Sequence, residues 1–317
     1  MESVESDLGR KMRDALRLYG GDIRVREDNG QLGDRQYRDS FRGDEKAYKT
    51  LNALLYPGID NEFTRISKEK GRLNPIFLRH IDKSMEVYLD IFRLMCQEHR
   101  HGREEIIVKR VERESSLEIL KKGQTVSFFS TSRAGYSQSF AEKEGVILLE
   151  IHVTSDVPYV DFQEALGEEY KRMEEREVLL PPFVDFSIQE TAMDRASGKS
   201  VRDLDGRRPL GRYEIKAKGF SDSGWKPLGA GSPERMRHDL LAGSHMAGEA
   251  VEAMNRGEWQ QDFSAYITWK KQLREYLRER FFHMWPLIPE NNFQNPAGEV
   301  SPKADRGQVD PNPRPNP

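Results

Sequence analysis

Three short stretches of this sequence carry residue types that do chemistry only when they meet. The first opens near residue 104, where Ile106, Val108 and Arg110 fall on one face of a period-two pattern. An arginine in line with apolar residues is costly unless its guanidinium meets an anion, and its planar fork matches a phosphate or a carboxylate. Arg113 takes that place if the register shifts. In the second stretch Val126, Phe128 and Ser130 share a face, and Ser130, Thr131 and Ser132 set three hydroxyls at a strand end. Hydroxyls so placed fix a polar ligand or orient a carboxylate, and they also serve as plain turn residues. The third stretch spans 174–182, where Glu175, Glu177 and Leu179 alternate with Arg176, Val178 and Leu180 before Pro181 and Pro182 close the run. Two neighbouring carboxylates on an apolar strand repel each other, and the double proline fixes where they sit. The triplets Glu112-Arg113-Glu114 and Glu142-Lys143-Glu144 read as solvated faces, because neither leads directly into an apolar strand as Glu175-Arg176-Glu177 does.

The elements that must hold these residues follow from a change of period. Up to residue 103 the pattern is helical. Leu8, Met12, Ala15 and Leu16 are spaced for one helix, and Tyr48, Leu51 and Leu55 for another that Asp44 can cap. Asn74-Pro75 is a start signal for a third, with Phe77, Ile81, Met85, Tyr88, Phe92 and Met95 as its core stripe. From 104 to about 218 come short β-branched or aromatic runs separated by turns. A helical first third followed by strands predicts an α+β domain over 1–218, with antiparallel sheets rather than alternating βαβ units. A linker and helical extension are expected over 219–290, with Tyr266, Trp269, Leu273, Tyr276 and Phe281 on one face, and a disordered tail over 291–317. The Gly-Ser-His-Met at 243–246 reads as chance rather than a tag scar.

Composition narrows the function classes. A formal charge of −3 over 317 residues gives no bulk attraction to nucleic acid or membrane. The single cysteine, Cys96, excludes an intramolecular disulfide framework. The first residues are too charged for a secretory signal peptide, and no apolar run approaches membrane-spanning length. Cys96, His99 and His101 lie close together but lack a fourth ligand nearby, so no metal is expected. The histidines form no recognisable triad with a serine or cysteine, and a glycine-rich phosphate loop with its lysine is missing.

In their order, the three stretches resemble the arginine-serine-glutamate class of mono-ADP-ribosyltransferases, which includes bacterial binary toxins and vertebrate surface enzymes. The matching positions are Arg110, the Phe128-Phe129-Ser130-Thr131-Ser132 run, and Glu175-x-Glu177 opening a later strand. Arg110 to Ser130 spans 20 residues and Ser130 to Glu177 spans 47, spacings that look right for the class. The likeness covers roughly 40–218 and implies a split antiparallel β-sandwich behind a helical lead-in. It implies NAD as substrate, cleavage of the nicotinamide–ribose bond and transfer of ADP-ribose to a protein acceptor. By the same resemblance Glu177 stabilises the oxocarbenium-like transition state, and Arg110 holds the diphosphate. Ser130 orients the ribose or Glu177, while Thr131 and Ser132 line or support the cofactor side of the strand end. Glu175 goes with arginine as acceptor, since a carboxylate binds a guanidinium in bidentate fashion and helps deprotonate it. Tyr136 is placed to stack on nicotinamide, and Tyr170 to face the protein substrate. A NAD glycohydrolase on the same fold and a non-catalytic adaptor are the alternatives. The chain suits a bacterial toxin or effector delivered by a signal-independent route, and equally a cytosolic enzyme.

Overall fold

The computed structural model describes residues 7–20, 47–68, 72–100, 102–136, 145–167, 176–191, 211–220 and 232–285. Helices α1 (Asp7–Gly20), α2 (Ala47–Leu55), α3 (Asp60–Lys68), α4 (Ile76–Arg79) and α5 (Ile81–Arg100) precede the first strand. The α1 stripe buries Met12, Ala15 and Leu16, whereas Leu8 is exposed. Asn74 does start a helix, its Oδ1 accepting from the Ile76 amide at 3.0 Å. That helix stops after one turn at His80 (φ −117°, ψ 45°), and α5 begins afresh at Ile81. Phe77, Ile81, Met85, Tyr88, Phe92 and Met95 are all buried across the break. Asp44, the linker over 221–231 and the tail beyond 285 lie outside the described residues.

The strands are β1 (Ile106–Arg113), β2 (Phe129–Ser132), β3 (Val146–Val153), β4 (Val160–Asp161), β5 (Glu177–Leu180), β6 (Asp185–Thr191) and β7 (Gly211–Gly219). Short helices α6 (Leu117–Leu120) and α7 (Phe162–Leu166) interrupt them. They form one hydrogen-bonded sheet in the order β4-β5-β2-β1-β3-β7-β6. Its pairs are antiparallel as expected, except that β3 and β7 run parallel. Parallel neighbours need a long connection, and β4, β5 and β6 all lie in the chain between them. The sheet is unevenly joined. β1 and β3 pair continuously from Ile106↔Val153 to Arg113↔Val146, but β1 meets β2 only at Lys109↔Ser132. That single pair makes a seam between a three-stranded part, β4-β5-β2, and a four-stranded part, β1-β3-β7-β6.

Period-two alternation gives the sheet two apolar faces. Val108, Leu149, Ile151, Val178, Leu180 and Ile215 build one core, and Phe128, Val160 and Leu179 turn the other way into the helices. The helical core includes α8 (Ser232–Ala242), α9 (Ser244–Asn255) and α10 (Ser264–Met284). Phe281 of α10 stacks on Phe92 of α5, with centroids 4.1 Å apart, and lies 5.8 Å from Phe183 beyond β5. Lys270 of α10 and Glu62 of α3 form a fully buried ion pair. The Lys270 Nζ also donates to the Gly58 carbonyl at 2.7 Å.

The 243–246 stretch has a structural reason. A Cβ on Gly243 would stand 2.6 Å from Cδ1 of Trp269, whose Nε1 donates to the Leu240 carbonyl. Only glycine lets α8 and α9 meet over that indole.

Cys96 is buried on α5, and burial pushes its thiol up to about 12, with Arg100 pulling in the opposite direction. Because the thiolate is the reactive form, the native protein is expected not to react with Ellman's reagent, and the unfolded chain to react with one equivalent. Rapid stoichiometric labelling of the native protein would contradict the packing of α5. Among the described residues no helix is long and apolar enough to cross a membrane, and no group of three His, Cys, Asp or Glu is disposed to hold a metal.

Candidate active site

The seam links Arg110 to the main chain of Ser130, and Ser130 to the side chain of Glu177. β2 and β5 pair from Phe129↔Leu180 to Ser132↔Glu177, which puts Ser130, Ser132, Glu177 and Leu179 on one face. Ser130 Oγ donates to Glu177 Oε1 at 2.5 Å. Glu177 is only 7% exposed. A carboxylate can be buried to that degree only with hydrogen-bonding partners, and the serine hydroxyl is one of them. Full burial of Val178, Leu179 and Leu180 anchors the strand, each side chain contributing about 1.5–3 kcal/mol.

Both ends of β5 are fixed. Arg176 enters it at φ 42°, a left-handed conformation that a residue with a Cβ adopts at a cost of about 1–2 kcal/mol. Its carbonyl accepts from the Arg133 amide at 3.1 Å. After Pro181 and Pro182 the chain turns through Phe183, at φ 70°, onto Thr125. The Thr125 hydroxyl donates to the Pro181 carbonyl at 3.0 Å and accepts from the Val184 amide at 2.9 Å. The proline stop read from the sequence is thus a tethered turn.

Arg110 occupies the gap where β1 and β2 part. Its Nη1 donates to the Ser130 carbonyl, and its guanidinium lies 4.4 Å from the centre of the Phe129 ring. The anion that the sequence demanded for Arg110 is present and comes from its own strand. Glu112 Oε2 accepts from Nε at 2.8 Å and lies 2.6 Å from Nη2. Burial disfavours the charge on both groups, but their mutual attraction and hydrogen bonds outweigh it, raising Arg110 and lowering Glu112 from their ordinary values. Glu112 is therefore not a solvated face. The missed signal was parity: two residues past Arg110 on a strand, its side chain shares the arginine's face.

The other expected residues divide as follows. Thr131 turns away from Glu177, its Oγ1 donating to the Val178 carbonyl at 2.8 Å, which locks β2 to β5. Ser132 Oγ accepts from the Ala134 amide at 3.1 Å, capping the strand end. Tyr136 lies over Lys109, with 5.4 Å from Nζ to the ring centre, and Lys109 is the cross-strand partner of Ser132. Burial raises the Tyr136 phenol from its ordinary value against the pull of Arg212 on β7. Glu175 and Tyr170 lie outside the described residues.

Sequence reading also missed the charged support beside Ser132. Arg133 and Arg103 stand 5.8 and 4.8 Å from the centre of the Tyr159 ring. Arg133 pairs with Asp161, and Asp161 Oδ1 caps α7 by accepting from the Gln163 amide at 2.9 Å.

No family model and no curated protein matches the chain. Among solved structures, two proteins from Clostridium botulinum align loosely with the chain. An ADP-ribosyltransferase from Clostridium botulinum aligns at 12% identity over 68% of this chain and 98% of that one, with a TM-score of 0.29. The enzymatic component of the C2-toxin, also from Clostridium botulinum, aligns at 12% identity over 56% of this chain, with a TM-score of 0.31. The chain spans 45% of that toxin component. Superpositions this loose fix neither family nor activity, so the functional reading stands on the seam's own geometry.

Proposed function

We propose that this chain is a protein mono-ADP-ribosyltransferase of the arginine-serine-glutamate class, which cleaves NAD and transfers ADP-ribose to a protein side chain, with arginine as acceptor. The observation that carries the reading is the 2.5 Å contact between Ser130 Oγ and Glu177 Oε1, with Arg110 bound to the carbonyl of that same serine. That chain of contacts, through residues from three strands chosen for their order in the sequence, supports the reading. The division of the sheet at Lys109↔Ser132 supports the finer fold reading of a split β-sandwich.

As the nicotinamide–ribose bond breaks, positive charge develops on the ribose. A carboxylate already fixed beside it stabilises that charge more than it stabilises bound NAD, which raises the rate rather than the affinity. Glu177 takes this part. Ser130 holds the carboxylate in one rotamer, and Arg110 contributes the N–H directions left over from Glu112 and Ser130 to the NAD diphosphate. Thr131 and Ser132 keep the strand end in place, and Tyr136 covers the side of the site next to Lys109. Glu175 orients and deprotonates the acceptor guanidinium, and Tyr170 contacts the acceptor protein. A toxin or effector role goes with this chemistry.

The test is to incubate purified protein with NAD labelled in the adenylate half and a cell lysate. A labelled protein band that hydroxylamine removes under conditions that release ADP-ribose from arginine is the expected result. Free ADP-ribose with no labelled band makes the chain a NAD glycohydrolase. Intact NAD overturns the enzymatic reading and leaves an adaptor.

A further inference from the structure

The geometry points to Glu112 as a positioning residue of this same site: through Arg110 it fixes the Ser130 carbonyl, and so the direction in which the Ser130 hydroxyl meets Glu177. The kinetic consequence rests on the proposed NAD reaction, whereas the structural one does not.

Between β1 and β2 only Lys109↔Ser132 is paired, so the ladder gives Ser130 little help in holding its place against β1. Arg110 supplies the missing tie with its Nη1. An arginine alone is a poor tie, because its long side chain loses considerable rotamer freedom when held in one geometry. Glu112 removes that freedom by engaging Nε and Nη2 with a single oxygen, 2.8 and 2.6 Å away. Its second oxygen is anchored outside the site, accepting from the Arg113 amide at 3.1 Å and from Ser116 Oγ at 3.2 Å. The Phe129 ring closes the remaining side of the guanidinium. A continuous relay therefore runs from Ser116 through Glu112, Arg110 and Ser130 to Glu177, crossing β1, β2 and β5.

The relay makes a prediction of sign. Glu112 compensates the charge of Arg110, so an approaching diphosphate meets an ion pair rather than a free cation. Removing the negative charge while keeping the shape leaves NAD binding intact or tighter and loosens the aim of Ser130. A residue important only for folding would lower stability, binding and turnover together.

The experiment compares Glu112→Gln with Glu114→Gln, an exposed neighbour from the same triplet. NAD affinity comes from calorimetry, kcat and KM from nicotinamide release, and amide exchange from a peptide covering residues 128–132. Glu112→Gln is expected to lower kcat about tenfold, the scale of a sub-ångström misplacement, with KM unchanged or lower and exchange at 128–132 accelerated. Ser116→Ala, which loosens Glu112 without touching Arg110, should move kcat and exchange the same way by less. Glu114→Gln should match the parent. A parent-like kcat in Glu112→Gln, or a loss seen only as a raised KM, overturns the role. If the parent chain itself cleaves no NAD, the functional reading falls, and amide exchange alone decides: unchanged exchange in Glu112→Gln removes the clamp as well.

Discussion

A Glu177→Gln variant is expected to cleave NAD about 10²–10³-fold more slowly than the parent chain, the cost of removing one preorganised charge-stabilising group. Affinity for NAD and melting temperature should be retained. Glutamine has the size of glutamate and still offers an oxygen to Ser130 Oγ, so the pairing of β2 with β5 survives. What disappears is the negative charge that, on the proposed reaction, faces the developing ribose cation. Nicotinamide release under saturating NAD, with calorimetric titration on the same sample, separates the two quantities. A variant that keeps more than a tenth of the parental rate would show that Glu177 is a buried structural carboxylate and that the site lies elsewhere.

The second large effect is on stability. Lys270→Met is expected to cost about 3–5 kcal/mol, because it strands Glu62 as an unpaired carboxylate in the helical core. Burial pushes Glu62 up and Lys270 down from their ordinary values, and each charge pulls the other partly back. Tyr266 also donates to Glu62 at 3.3 Å, so the pair sits in a small polar network inside apolar packing. Replacing both partners, Glu62→Leu with Lys270→Met, should recover most of the loss, since a buried pair and an apolar pair of similar volume often come out close. Urea melts of the parent, the single and the double variant measure this. A single variant within about 1 kcal/mol of the parent would mean that water reaches Glu62.

What the sequence made legible was whatever declared itself within one element. The alternation in 104–111 and 145–153 predicted β1 and β3, and the Phe77-to-Met95 stripe marked residues that are buried. The break at His80 was invisible because the stripe continues across it with the right spacing. β4 is two residues long, too short to show a period. The helix over Ser232–Ala242 was passed over because it buries only Leu240 and so carries almost no stripe. The parallel pairing of β3 with β7 depends on segments far apart in the chain, which no local pattern encodes. Arg110, Ser130 and Glu177 were singled out together, by their order along the chain and the strand each sits on, since each motif alone is common. Glu112 was hidden by composition: glutamate triplets recur in this chain, and its two-residue spacing from Arg110, the one cue that it shares the arginine's face, was outweighed.

Phe281 packs against Phe128 and Phe183, the residues that hold β2 and the turn after β5 from beneath. Tyr19 and Tyr88 from the first helices already pack on Phe128, and the rest of the floor under the seam comes from a helix that leaves the ribosome about a hundred residues after Glu177. The strands bearing Arg110, Ser130 and Glu177 emerge well before α10, so Phe183 gains its Phe281 neighbour only when that helix docks. Synthesis therefore completes the packing beneath these three strands last, with the docking of the final described helix.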